Sequence, residues 1–287
     1  MKVVGIIPNL EKDPALDFTK SLIEHIQSLG AKPLVSCQLK DLLKIDEYIY
    51  IEYEELFKTS DFITVLGGDG TLLKVAEKSA IYNTPILGIN LGTLGFLTDT
   101  EQAGAKEAVK RAIKNNFKID KRMMLEAFVF RKDAISEGHM ALNEVCITRG
   151  VFSKMVDLSI YVNEDYMESF KGDGVIICTP TGSTAYNLSA GGPILKPDTE
   201  MVAITPVCTH TLKDRSTVVS ASDIITVKVG DQYRGDVLIS LDGQAKGSLK
   251  SNDVITIKKS PYYTSTIKTN DLGFYDILRI KLDGKGR

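Results

Sequence analysis

The stretch FITVLGGDGTLL, residues 62–73, decides how the first part of this chain folds. Phe62–Leu66 is a β-branched, apolar-rich run of strand length. Gly67, Gly68 and Gly70 interrupt it, and Leu72, Leu73, Ala76 and Ala80 then recur along one side of a helix. Strand, glycine turn and helix make one βα step, and repeated βα steps predict a parallel α/β sheet.

The flanking sequence repeats the step. Val3–Ile7 is a short apolar strand ended by Pro8. Phe18, Leu22, Ile26 and Leu29 then share one helical face, and Gly30 stops that helix. Pro85–Ile89 reads as a further buried strand. Gln102–Asn115 reads as a helix with Glu101 near its start and Lys110, Arg111 and Lys114 toward its end, the arrangement the helix dipole favours. From about Met123 the pattern changes to short strands: Leu125–Phe130, Ala141–Arg149, Val156–Val162, Met167–Lys171, Val175–Thr179, Ile224–Val229, Val237–Leu241 and Val254–Ile257. Asn163-Glu164-Asp165 and Asp242-Gly243 supply hairpin turns. From Tyr262 the chain is again apolar and is expected to return, as strand or helix, to the first domain. The expected division is residues 1–120 together with 265–287 as an α/β domain, and 121–264 as an all-β, sandwich-like domain. No internal repeat or low-complexity tract is present.

Composition sets outer limits. A chain of 287 residues suits about two domains. With 43% hydrophobic and 25% charged residues it can bury a sizeable core. Lys and Arg total 35 against 37 Asp and Glu, a net charge of −2, which argues against a nucleic-acid binder. Ser79–Thr98 and Gly174–Leu195 are uncharged and long enough for a membrane span. Pro85, Pro180, Pro193 and the glycines among them instead predict strand plus glycine-rich loop. The N-terminal MKVVGIIPNL is too short an apolar run for a signal peptide. Cys37, Cys146, Cys178 and Cys208 lack paired spacing and are expected to be reduced core thiols of a cytoplasmic protein. His25, His139 and His210 form no metal motif, so no dedicated metal site is expected.

Four segments carry candidate chemistry. In Gly67-Gly68-Asp69-Gly70-Thr71, glycines let a ligand approach the main-chain amides, and Thr71 is placed to cap a helix whose N-terminus faces an anion. The segment is neither a Walker A loop, since no Lys-Ser/Thr follows in register, nor GxGxxG, since Leu73 stands at the third glycine. What remains is a phosphate-cradling loop with a carboxylate at its centre, which beside phosphates must meet Mg²⁺ or take a proton. A tight turn with no ligand is the plainer alternative. Asn90-Leu91-Gly92-Thr93-Leu94-Gly95-Phe96 is a second loop at the carboxyl end of the next strand, where open α/β sheets bind ligands. Lys171-Gly172-Asp173-Gly174 and Thr179–Asn187 offer donors and acceptors suited to ribose hydroxyls and base edges, or form a structural turn. Asn143-Glu144 places two polar groups in an apolar strand, as ligand contacts or as a satisfied core pair.

Together these pieces resemble the NAD kinases, which phosphorylate the 2′-hydroxyl of the adenosine ribose of NAD. GGDGT at 67–71, NE at 143–144, GDGVIICTPTGSTAYNLSAGGPI at 172–194 and PVCTHTLKDRSTVV around His210 and Arg215 follow the family's order and spacing over most of the chain. The run 172–194 is the specific part; GGDG alone also occurs in diacylglycerol-type lipid kinases and phosphofructokinases. The resemblance implies that Asp69 is the proton acceptor, with Gly68, Gly70 and Thr71 amides near the phosphates. It implies that Asn143 and Glu144 hold ribose and adenine, and that Asp173, Thr184, Ala185, Tyr186 and Ser189 line the dinucleotide cleft, with Phe96 as a wall and His210 as a further contact. Lys171 stands where relatives often carry Arg toward the 2′-phosphate, and Ser216 where Pro commonly follows the Arg. ATP or polyphosphate as donor, Mg²⁺ or another divalent cation, and a homodimer or homotetramer assembled through the second domain are implied as well. A lipid kinase would lack the TPTGSTAYN-type segment, and a non-catalytic nucleotide sensor would have no need of Asp69.

Overall fold

The computed structural model describes residues 1–45, 49–98, 100–131, 134–135, 138–150, 154–209, 215–231 and 235–282. The chain forms two compact units, one of Met1–Lys121 with Tyr263–Arg287 and one of Arg122–Tyr262.

The first unit begins with β1 (Val3–Pro8), α1 (Asp17–Ser28), β2 (Lys32–Ser36), the single turn α2 (Lys40–Leu43), β3 (Tyr50–Ile51) and α3 (Tyr53–Thr59). It continues with β4 (Phe62–Gly67), α4 (Asp69–Tyr82), β5 (Ile86–Asn90), β6 (Thr100–Glu101) and α5 (Ala105–Ile113). Strand order is β3-β2-β1-β4-β5, every neighbour parallel. The last residues of the long strand Val254–Lys268 extend the sheet in parallel beside β5, Thr266 opposite Ile86, and the helix Phe274–Leu282 follows. The tail is thus strand and then helix.

Why β4 and β5 are apolar throughout is visible in their burial: every residue of both is buried, because helices cover both faces. Side chains alternate along a strand. Val4, Ile6, Phe62, Leu66, Leu87 and Ile89 join one core cluster with Leu22 and Ile26 of α1 and Ala108, Val109 and Ala112 of α5. α3 and α4 pack together and lie against β1, β4 and β5. Helix α1 is anchored by Asp13, only 7% exposed, which accepts the Phe18 amide at 3.3 Å, the Thr19 amide at 2.9 Å and the Thr19 hydroxyl at 2.6 Å. α4 ends at Asn83, whose φ of +50° suits Asn. The helix expected over 102–115 begins as one 3₁₀ turn, Gln102–Gly104, and is α-helical only over Ala105–Ile113.

The chain crosses into the second unit along β7 (Lys118–Arg131), which pairs with β8 (Ala134–Ile135) and β9 (His139–Ala141). There follow β10 (Glu144–Arg149), β11 (Val156–Val162), β12 (Asp165–Gly172), β13 (Gly174–Cys178), the turn α6 (Tyr186–Ser189), β14 (Met201–Val207) and β15 (Thr217–Ser220). The unit closes with β16 (Ile225–Val229), β17 (Val237–Leu241), β18 (Gln244–Leu249) and β19 (Val254–Lys268), after which the Phe274–Leu282 helix is α7. Strands β15-β14-β13-β10-β17-β18 make one antiparallel sheet. β12, β11, β16 and the first part of β19 pair antiparallel in succession. Both expected hairpins form: Asn163 has φ +56°, and Asp242 and Gly243 have φ +49° and +74°, the positive pair a two-residue hairpin turn needs.

Cys146 and Cys178 lie in the core of this unit, where burial pushes both thiols up from their ordinary range. Cys37 is half-buried and Cys208 exposed, so the expectation of a core thiol fails for these two. Among the described residues no helix is long and apolar enough to cross a membrane.

Replacing Asp13 by Ala removes the anchor of α1 and is expected to cost about 1–2 kcal/mol, as lost helix caps do, read as a lower urea midpoint. An unchanged midpoint would contradict this role.

Candidate active site

The first unit presents a loop site at the carboxyl ends of its strands. α4 starts at Asp69, so Gly68 is the boundary residue. Thr71, expected to cap the helix, is instead its third residue: its amide donates to Gly68 O at 2.9 Å, and its hydroxyl takes an N–H from Asn9 Nδ2 at 2.8 Å. The amides heading the helix without an intrahelical acceptor therefore belong to Asp69 and Gly70. Gly70 is open, with nothing within 4 Å of where its Cβ would stand.

Asp69 is half-buried, and its carboxylate is held from the following loop. Oδ2 accepts the Phe96 amide at 2.8 Å. Oδ1 accepts the Leu97 amide at 3.1 Å, the Thr98 amide at 3.0 Å and the Thr98 hydroxyl at 2.9 Å. A carboxylate has about four lone-pair positions, two on each oxygen, so Oδ2 keeps one for a further donor. The loop closes this tightly because residue 95 is glycine: a Cβ there would lie 2.0 Å from Asp69 Oδ1. Asn90, 2% exposed, braces the same loop from within. Its Nδ2 donates to Thr93 O at 2.6 Å and Thr98 Oγ1 at 3.0 Å, and its Oδ1 accepts the Gly92 amide at 2.7 Å. Phe96 is half-buried, its ring 6.5 Å from that of Phe274 in α7, with Lys281 Nζ 6.0 Å from its centroid.

In the second unit, Asn143 and Glu144 stand at the start of β10, and Asp242 organises them. Its carboxylate accepts the amides of Leu142 at 2.7 Å, Asn143 at 2.8 Å and Glu144 at 3.1 Å. Thr179 locks the adjoining turn, its amide on Asn143 O at 2.9 Å and its hydroxyl on Leu142 O at 2.6 Å. Gly182 packs so closely that a Cβ would sit 2.1 Å from Asn143 O. Glu144 is 6% exposed and its Oε2 is buried without a hydrogen-bond partner. Burial pushes its carboxyl up to about 8, and the neighbouring Asp242 charge adds to the rise.

The segment after β13 carries Thr184, Ala185, Tyr186 and Ser189 on a 3₁₀ turn followed by α6, with Tyr186 and Ser189 exposed. Asn187, fully buried, fixes the segment through Pro193 O at 3.0 Å, Ser183 O at 3.2 Å and the Thr205 hydroxyl at 2.6 Å. Asp173 pairs with Arg149 of β10. Lys171, exposed, lies 3.8 Å from the half-buried Asp157 across β11 and β12. His210 and residues 211–214 lie outside the described residues. Asn90, Thr98, Arg149, Thr179 and Asp242 escaped the reading of the sequence as supports of these sites. Asp242-Gly243 signalled only a turn; Asn90 and Thr98 were visible as polar residues bordering a glycine loop. Among the described residues no cluster of three His, Cys, Asp or Glu side chains is placed to hold a metal ion.

Two family models match the chain, the ATP-NAD kinase N-terminal domain over residues 4–117 and the ATP-NAD kinase C-terminal domain over residues 142–269. The NAD kinase of Caldanaerobacter subterraneus subsp. tengcongensis is 44% identical over 282 residues, covering 98% of this chain and 99% of that protein. The NAD kinase of Acetivibrio thermocellus is 39% identical over 286 residues, covering 100% and 99%. Among solved structures, yeast NADH kinase complexed with NADH superimposes with a TM-score of 0.86 at 26% identity, covering 99% of this chain and 88% of that one. An NAD kinase from Archaeoglobus fulgidus in complex with ATP gives 0.74 at 25% identity, covering 100% and 99%.

The raised Glu144 carboxyl makes stability depend on pH. The unfolded chain loses this proton near pH 4.5 and the folded chain near 8, so stability present below about pH 4.5 is lost as pH rises toward 8 and is constant beyond. Glu144→Gln removes the titration. Its unfolding free energy is expected to gain on the parent's between pH 5 and pH 9, and a difference independent of pH would disprove the assignment.

Proposed function

The chain belongs to the NAD kinase family, and from that membership we propose how its residues carry the reaction. The enzyme transfers the terminal phosphoryl group of ATP to the 2′-hydroxyl of the adenosine ribose of NAD, making NADP. The oxygen–phosphorus bond to the ribose forms as the bond to the β–γ bridging oxygen of ATP breaks, and the hydroxyl proton must leave.

Asp69 is the acceptor of that proton. One observation carries the assignment: four donors fix the carboxylate at the head of α4, and Oδ2 retains a lone pair for one more. The Asp69 and Gly70 amides and the positive end of α4 favour phosphate beside it. Phosphoryl transfer rests on such positioning and charge stabilisation more than on covalent participation. ATP enters as its complex with Mg²⁺ or another divalent cation, which belongs to the substrate; polyphosphate is a second donor by resemblance to the family.

On the acceptor side, Asn143 and Glu144 take ribose and adenine, and Asp173, Thr184, Ala185, Tyr186 and Ser189 the remainder of the dinucleotide, with Phe96 as an aromatic wall. A neutral Glu144 both donates and accepts, which suits a hydroxyl or a base edge and avoids repelling the pyrophosphate. Lys171, exposed and only loosely held by Asp157, is free to turn to the new 2′-phosphate, and as Lys it meets it as a point charge. His210 keeps its proposed ligand contact on resemblance alone. A homodimer or homotetramer in the cytoplasm completes the proposal. The free cysteines and the near-neutral charge suit the compartment and the absence of nucleic-acid partners.

Purified protein with NAD, ATP and Mg²⁺ is expected to form NADP, and its absence with both ATP and polyphosphate would end this reading. Asp69→Asn should lower kcat by ~10²–10⁴-fold, the scale of losing a general base; a near-parental rate would remove Asp69 from its role alone. Gly95→Ala, which drives a methyl into the Asp69 carboxylate, should cut kcat while leaving the KM for NAD within about twofold, as loss of an interaction used only in the transition state does.

A further inference from the structure

The turn that leaves β1 is fixed to the phosphate loop more firmly than a connecting segment requires. Asn9 donates its amide to Leu66 O at 2.8 Å and its Nδ2 to the Thr71 hydroxyl at 2.8 Å, while its Oδ1 accepts the Glu11 amide at 2.9 Å. Asn9 O receives the amides of Lys12 at 3.1 Å and Asp13 at 2.9 Å, and Asp13 is itself anchored under α1. Both flanks of Lys12 are therefore set by hydrogen bonds.

From that fixed base the Lys12 side chain reaches across the carboxyl ends of the strands. A Cβ on Gly68 would stand 3.1 Å from Lys12 Nζ, and one on Gly92 3.2 Å from it. The ammonium thus lies over both glycine loops, beside the amides that head α4. A surface lysine ordinarily extends into water or meets a carboxylate. Among the described residues Lys12 has neither an ion pair nor a hydrogen bond from its side chain, while the Asp69 carboxylate takes its amide donors from residues 96–98. The place itself is distinctive. From β1 the chain builds outward through β2 and β3, then returns to the other side with β4 and β5, so the strand order reverses between β1 and β4. Open α/β sheets bind ligands in the crevice outside the strand ends at such a reversal. Lys12 stands there, next to the end of β1.

We propose that Lys12 is the cationic arm of the phosphoryl-donor site, its ammonium bonded to phosphate oxygens of ATP. This rests on the kinase reading above and adds a residue to it. As the bond between the γ-phosphorus and the bridging oxygen breaks, its electron pair stays on the ADP oxygen, while the 2′-hydroxyl proton passes to Asp69. Lys12 neutralises charge on the donor side of that exchange, a duty the helix N-terminus shares with fixed partial charges only. Nζ is also free of the Asp69 carboxylate, so the cation on the donor and the base on the acceptor do not quench one another.

The test varies ATP and NAD separately in steady-state kinetics. Lys12→Met is expected to raise the KM for ATP or lower kcat by a combined ~10–100-fold, the range of a charge-assisted hydrogen bond, with the KM for NAD within about twofold. Lys12→Arg, which keeps the charge, should recover most of the loss. Calorimetric titration of ATP alone into parent and Lys12→Met protein should show the same weakening without turnover. Unchanged ATP kinetics and affinity in Lys12→Met would overturn the proposal, as would an equal rise in both KM values. A parent protein that makes no NADP from any donor would instead overturn the kinase reading, and the calorimetric arm would still decide on Lys12.

Discussion

The Asp69 carboxylate gathers three main-chain amides and one hydroxyl from residues 96–98, and the first unit's site follows from that contact. A carboxylate drawn even partly out of water must be hydrogen-bonded or it forfeits the solvation it gave up. Here the donors come from the loop after the neighbouring parallel strand, so satisfying the acid ties two βα loops together. The demand spreads outward. Gly95 has to lack a side chain to let the carboxylate pass, Thr98 has to offer a hydroxyl, and Asn90 has to hold the loop from beneath. A residue that could have wandered on a glycine loop is thereby fixed in direction, which its proposed role as acceptor of a single hydroxyl proton requires.

The second unit solves a similar problem in the same way with a different acid. Asp242, in a left-handed conformation on a two-residue hairpin turn, collects the amides of residues 142–144. Its charge is one reason Glu144 holds its proton, the larger being burial. One aspartate thus performs three tasks: it makes the turn, satisfies three amides that β10 cannot, and adds to the rise that burial imposes on its neighbour. The donors go to Asp242, while burial and the neighbouring charge hold the Glu144 carboxyl up.

What could be read in the sequence divides along the range of the forces involved. β1, β4 and β5 were legible because strands covered on both faces are apolar from end to end, and α1 because its stripe has helical spacing. Both hairpins were legible because positive φ leaves its mark in Asn, Asp and Gly. The region from 31 to 60, with β2, β3 and two short helices, carried no comparably strong pattern. Lys32-Pro33 opens β2, and β3 is two residues long. Asp69, Asn143, Glu144 and Asp173 could be singled out because polar groups beside glycine or inside apolar runs need a reason. Their supports could not. Thr98 lies 29 residues from Asp69 and Asp242 lies 99 from Asn143, and no local pattern joins partners at such separations. The start of α4 was misplaced for a related reason: Gly68, with no side chain to offer, is the boundary, while Thr71 resembles a cap and bonds backward from inside.

Net charge gains a sharper meaning from these contacts. A chain at −2 has no surplus of cations for a polyphosphate ligand. On the proposed reading it has little need of one, because phosphates meet the Asp69 and Gly70 amides, the end of α4 and the divalent ion they bring. Neutral amides hold an anion without attracting every other polyanion in the cell, so selectivity comes from geometry and not from field strength. Where a full charge is placed, its surroundings keep it available. The Asp69 carboxylate is held by its own loop with a position on Oδ2 to spare, and the Lys12 ammonium rests over two glycines whose missing side chains leave room for a ligand. On the same proposal, a protonated Glu144 suits the acceptor side. A second fixed negative charge there would oppose the dinucleotide pyrophosphate, whereas a neutral acid supplies hydrogen bonds of both senses at no electrostatic cost.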